Sequence, residues 1–86
     1  MFKFKLITPT KTLLDDDIFM SVLPGEEGVF GVLENHAPMI VSLKKGRIDL
    51  YKKNSEIFKR FDIEKGYAQI KRDGCFVYTE QGESVE

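Results

Sequence analysis

The sequence lacks what a transmembrane helix, a disulfide scaffold or a strongly charged binding surface would need. No apolar run approaches the ~18 residues needed to cross a bilayer as a helix. The opening residues Met1-Phe2-Lys3-Phe4-Lys5 alternate where a signal peptide would carry an unbroken apolar block. A single cysteine, Cys75, excludes an internal disulfide and suits a reducing compartment. With 13 Lys and Arg against 14 Asp and Glu the formal net charge is −1. That leaves no long-range field to draw the chain onto nucleic acid or an anionic membrane surface. These absences predict a soluble protein of the cytoplasm or an equivalent compartment.

What is present is ordinary for a small globular protein. The 86 residues are 42% hydrophobic and 31% charged, with seven Phe and three Tyr. That length allows one domain, and the aromatic content supplies the burial that offsets chain entropy, so disorder is excluded.

Period two dominates the chain. Phe2, Phe4 and Leu6 alternate with Lys3 and Lys5; Ile18, Met20 and Val22 alternate up to Pro24-Gly25. Met39, Val41 and Leu43 do so before Lys45-Gly46, and then Ile48 and Leu50, Phe61 and Ile63, Ala68 and Ile70, and Cys75, Val77 and Thr79. Short alternating runs closed by Gly, Asn or Asp predict half-buried antiparallel strands. Arg72-Asp73-Gly74 is a strong hairpin signal and Lys53-Asn54-Ser55 a second. The expectation is a single all-β domain, an antiparallel sandwich or barrel of about ten short strands over residues 1–82, with no helix of useful length. The residues from Gln81 to Glu86 read as a polar tail.

Candidate chemistry is sparse. Gly25, Gly28 and Gly31 invite a phosphate-loop reading, but no Gly-Lys-Ser/Thr follows and Glu26 and Glu27 would repel a phosphate. Tight-turn glycines are the better reading. His36, the only histidine, has too few partners in sequence for catalysis or a metal site. Asp15-Asp16-Asp17 lacks the spaced ligands of a calcium loop and reads as a solvated turn. Cys75 reads as an inert core thiol. The basic residues Lys44, Lys45, Arg47, Lys52 and Lys53, beside plentiful aromatics, leave a β-barrel that binds single-stranded nucleic acid as the alternative reading. No catalytic, cofactor or metal residue is expected.

Resemblance carries the reading further. Met20-Ser21-Val22-Leu23-Pro24-Gly25-Glu26-Glu27-Gly28-Val29-Phe30-Gly31-Val32-Leu33, then His36-Ala37-Pro38-Met39-Ile40, resembles a strand, a glycine-bracketed acidic loop, a strand and a His-Ala-Pro box. Leu43 to Ile48, Gly66 to Ile70 and Cys75 to Thr79 continue the pattern in order. Together they resemble the epsilon subunit of the F-type ATP synthase, called delta in mitochondria. This resemblance implies a ten-stranded β-sandwich in the central stalk, a non-catalytic rotor part that grips the gamma subunit and rests on the membrane c-ring. It further implies alpha and beta subunits as companions in the complex, no cofactor, no nucleic acid, and membrane contact only through the complex. The place implied is the cytoplasmic face of the bacterial inner membrane or its organelle equivalent. By family position Glu26, Glu27, Gly28, Val29 and Phe30 would face the c-ring, and His36, Ala37, Pro38 and Met39 the gamma subunit. Val29, Phe30, Leu33, Ala37, Pro38 and Met39 are expected to supply apolar area close to the loop end.

Three departures stand out. Glu34-Asn35 occupies a place where members often carry Pro-Gly, and Asn can keep the left-handed backbone that Gly allows. Val29 stands where many carry a carboxylate. Members usually continue into a C-terminal helical pair, which would begin at residues 83–86, so inhibition and ATP sensing are not assigned to the residues given.

Overall fold

The computed structural model describes residues 1–54 and 56–85. They form ten strands: β1 (Phe2–Ile7), β2 (Thr12–Ile18), β3 (Met20–Gly25), β4 (Gly28–Leu33), β5 (Met39–Leu43), β6 (Gly46–Lys53), β7 (Glu56–Ile63), β8 (Gly66–Lys71), β9 (Gly74–Thr79) and β10 (Gly82–Val85). The hydrogen-bonded order is β10-β7-β6-β3-β5-β8-β9-β1-β2, with β4 on the remaining edge of β3. All neighbours are antiparallel except β1 and β9, which run parallel. The all-β sandwich expected from the alternation is the fold, and it is nearly closed into a barrel.

Alternation produces the core directly. Phe4, Leu6, Ile48, Leu50, Ile63, Ala68, Cys75 and Val77 point inward from the predicted phases and are buried, while Lys3, Arg47 and Asp62 point out. The hairpin read at Arg72-Asp73-Gly74 is present, but its two turn residues are Arg72 and Asp73, and Gly74 pairs with Lys71 as the first residue of β9. The β6–β7 ladder closes at Lys53 opposite Glu56; of the hairpin read at Lys53-Asn54-Ser55, Ser55 lies outside the described residues.

Three local readings are corrected. The Asp15–Asp17 run is not a turn but part of β2. Its pairing with β1 places Asp15 opposite Lys5 and Asp17 opposite Lys3, and the cross-strand lysines make three adjacent carboxylates tolerable in a strand. The phase of β3 is shifted by one: Ser21 and Leu23 are buried, and Met20 and Val22 are only half-buried. A bend at Phe19 separates β2 from β3 and reverses which residues face inward. The segment Gly82–Val85, read as polar tail, is a strand on β7, with Gly82 opposite Ile63 and Val85 opposite Arg60; Glu86 lies outside the described residues.

Candidate functional site

The β3–β4 hairpin turns over two residues, Glu26 and Glu27, and its backbone explains the flanking glycines. A Cβ on Gly25 would lie 2.7 Å from the Gly28 carbonyl oxygen and 2.9 Å from the Phe30 ring. Gly28 has φ of 138°, a conformation that L side chains avoid. The turn is seated from below, since the Glu26 N–H donates to Ser42 O at 3.0 Å and the Lys44 N–H donates to Pro24 O at 2.9 Å. Glu26, Glu27 and Gly28 are exposed, and Val29 is 70% exposed. Phe30 is turned the other way: it is half-buried, packed against the core and over Gly25.

The second group sits beyond the far end of β4. Asn35 has φ of 68°, the left-handed backbone expected of it in place of Gly. The turn it makes lets the His36 N–H donate to Leu33 O at 3.3 Å. His36 Nδ1 lies 2.7 Å from Ala37 O; a carbonyl only accepts, so this nitrogen carries the proton. His36 is half-buried, while Ala37, Pro38 and Met39 are exposed.

The residues singled out in sequence thus form two groups, not one. The first group occupies the Glu26-Glu27 turn and the first three residues of β4, and the second lies beyond the far end of that strand, whose six residues span roughly 20 Å at ~3.3 Å per residue. The expectation that Leu33, Ala37, Pro38 and Met39 add apolar area near the acidic loop is therefore corrected. They lie at the opposite end of the hairpin. Strand registers gather the other turns around the acidic loop: Leu43 is opposite both Gly25 and Gly66, Gly66 is opposite Thr79, and Tyr78 is opposite Ile7. The loop end accordingly carries Lys44, Lys45, Lys65, Glu64 and Glu80 as well as Glu26.

Ile40, 69% exposed, and Tyr67, 45% exposed, are among the apolar surface residues that escaped the sequence reading. Their signal was an apolar side chain on the polar phase of an alternating strand: Ile40 stands between Met39 and Val41, and Tyr67 next to buried Ala68. Tyr67 stacks on Tyr78 with ring centroids 5.0 Å apart. Together they wall an open groove of about 580 Å³ that reaches Glu26, Leu43 and Lys65.

The electrostatics favour structure over chemistry. Four of the five basic residues that suggested nucleic-acid binding face carboxylates: Lys45 with Glu64 at 3.9 Å, Arg47 with Asp62 at 2.8 Å, Lys52 with Asp16 at 3.0 Å and Lys53 with Glu56 at 3.9 Å. Hydrogen bonds from Lys52 and Arg47 hold Asp16 and Asp62, respectively, below the ordinary carboxylate range. The Cys75 thiol is pushed up to about 11 by desolvation, opposed by a hydrogen bond from the Ser21 hydroxyl, and so is a poor nucleophile. Among the described residues no three of His, Cys, Asp and Glu gather as metal ligands.

Comparison with known proteins follows the same lines. The family profile described as ATP synthase, Delta/Epsilon chain, beta-sandwich domain matches residues 1–85. An ATP synthase epsilon chain of Rhodospirillum centenum is 36% identical over 98% of this chain and 58% of its own length. One from Granulibacter bethesdensis is 40% identical over 94% of this chain and 59% of its own length. The chain thus spans somewhat over half the length of these two relatives. In the Euglena gracilis mitochondrial ATP synthase OSCP/F1/c-ring structure, one chain superposes with a TM-score of 0.88 at 16% identity. That likeness covers 96% of this chain and 52% of the other, and it is a likeness of fold.

Proposed function

This chain belongs to the ATP synthase delta/epsilon β-sandwich family, and we propose from that premise that it is a non-catalytic rotor subunit of an F-type ATP synthase, coupling the gamma subunit to the membrane c-ring. The observation that carries this reading is the separation of the two contact groups. Glu26, Glu27, Gly28 and Val29, with Phe30 bracing the turn from behind, would rest on the polar loops of the c-ring. His36, Ala37, Pro38 and Met39, at the other end of β4, would meet gamma. A linker needs two recognition surfaces joined by something stiff. Here the joint is a strand whose inner residue Val32 is 1% exposed, set in a close-packed core. The subunit then transmits torque and leaves nucleotide chemistry to the alpha and beta subunits. Its place is peripheral, on the cytoplasmic face of a bacterial inner membrane or the organelle equivalent. It reaches the membrane only through the complex.

The reading is tested by using this chain as bait on detergent-solubilised membranes of its own organism, depleted of the native counterpart. Recovery of gamma, alpha, beta and c subunits is the expected result. His36→Asp should lose the gamma subunit, and with it alpha and beta. Glu26→Lys with Glu27→Lys should weaken retention of c while keeping gamma. If the folded bait recovers none of these subunits, the proposal fails.

A further inference from the structure

The sheet curls round until β2, the last strand of its path, meets β6 and β10 across a seam, and no backbone ladder crosses that seam among the described residues. Side chains do most of the joining. Lys52, from β6, holds its Nζ 3.0 Å from Asp16 Oδ1 and 2.6 Å from Asp17 O, both on β2. The same ammonium lies 4.8 Å from the centre of the Phe58 ring on β7. Leu13 of β2 rests against Gly82 of β10, where a Cβ would come 2.8 Å from its Cδ1. A single backbone bond, from the Phe19 N–H to Tyr51 O at 2.7 Å, stands just past the end of β2.

β2 itself is lightly anchored. Its ladder is to β1 alone, and the register slips between Leu6 and Ile7. Of its seven residues only Ile18 is buried; Leu13, Leu14 and Asp16 are half-buried and the rest are exposed. β1 differs, since it is also bonded to β9 and buries Phe4 and Leu6 completely. It therefore stays in place when β2 leaves. Few buried apolar side chains and a ladder on one side only mark a segment that opens locally, below the free energy of global unfolding.

We infer that β2 is a strap over the seam, opening and closing as a unit, with Lys52 as its latch. Lys52 suits the part because one charged donor serves acceptors on two consecutive residues of β2, and hydrogen bonds of that kind are the stronger ones. The Phe58 ring adds a favourable face for the cation. The other charges on β2 do not cross the seam: Asp15 is reached by Lys3 and Lys5 of β1, and those contacts break together with the β1 ladder. Opening uncovers the margin of β1 and the Leu13 side of β10. It disturbs neither β4 nor the turns at its ends, because none of the residues at the seam belongs to those elements.

Native-state hydrogen exchange of the purified chain tests the inference. In the unsubstituted chain the β2 amides bonded to β1 should exchange faster than those of β8 and β9, through openings that respond only weakly to low urea. Lys52→Met keeps the length and apolar stem of the side chain. It should speed exchange from β2 about tenfold and leave β8 and β9 within about twofold. Equal protection of β2, β8 and β9 in the unsubstituted chain overturns the inference whatever the variant does, because β2 then opens only with the whole fold. Rates in Lys52→Met that are unchanged at β2, or raised alike in every strand, overturn the latch: the lysine is then either idle or a contributor to global stability alone.

Discussion

β2 and β4 are both edge strands of similar length, and they are finished in opposite ways. β2 is tied down by charge. Lys3 and Lys5 reach Asp15 at 3.2 and 3.8 Å, and Lys52 crosses from β6 to Asp16 at 3.0 Å and to the Asp17 carbonyl oxygen at 2.6 Å. The last of these places a lysine on a main-chain acceptor that another strand would need. β4 has no such cover among the described residues and is held from inside only, by Val32 and Phe30. An edge with its charges in place is protected against pairing. One left bare is available for it. The contrast gives β2 a structural role and supports the proposal that recognition uses β4 and the turns at either end of it.

The strongest way to break this contrast is to loosen β4 from within. Val32→Ala removes two methyl groups from a side chain buried in the core cluster, and should cost about 2 kcal/mol. Urea unfolding measures it. A cost near zero would mean that the inner face of β4 is not its anchor. Next comes the turn that follows β4. With Asn35 at φ 68°, Asn35→Ala should cost about 1 kcal/mol and Asn35→Gly almost nothing. Equal losses in the two variants would place the value of Asn35 in its side chain instead of its backbone.

How much of this was readable beforehand follows from which interactions were local. The strands around Ile48, Phe61, Ala68 and Cys75 declared themselves, because alternation against a core is written into neighbouring residues. The left-handed backbone at Asn35 was likewise predictable from residue type. The Asp15–Asp17 strand was not, since what stabilises it is a set of lysines on β1 and β6 that only the fold brings close. The phase of β3 is not legible because the bend at Phe19 flips it, nor is the strand at Gly82–Val85, because its partners on β7, Ile63 to Arg60, lie 19 to 25 residues earlier in the chain. For the candidate site, the residues were named correctly as exposed apart from Phe30 and His36, which are half-buried. Their grouping was not legible. Two motifs adjacent in sequence predict one surface, and the extended strand β4 sets them apart.

A smaller effect distinguishes the edges by pH. Asp16 and Asp62 have folded-state pKa values below their unfolded ones, the first through Lys52 and the second through Arg47. Their contribution is therefore present above about pH 4 and is lost as pH falls through the depressed folded values. The melting temperature should drop more steeply below that pH in the unsubstituted chain than in Lys52→Met, which lacks the Asp16 part. Identical acid profiles would show that Lys52 only covers the edge of β2 without stabilising it.

The smallest expected change in stability is the most informative about function. Val29 is 70% exposed on the outer face of β4, and its replacement by Lys removes no core contact. Surface changes of this kind stay within about 0.5 kcal/mol, so Val29→Lys should melt within a degree or two of the parent. The same lysine places a charge on an edge whose availability rests on having none. A variant equally stable but unable to retain the proposed partner subunits would separate what β4 does for the fold from what it does for recognition. A variant that unfolds would instead show that the outer face of β4 is part of the packing, and the contrast with β2 would then be one of degree. Circular dichroism melting of Val29→Lys beside Asp15→Lys, which on β2 removes the carboxylate that Lys3 and Lys5 reach, decides between them. The β2 variant should lose more, because there the edge charge is part of what holds the strand in place.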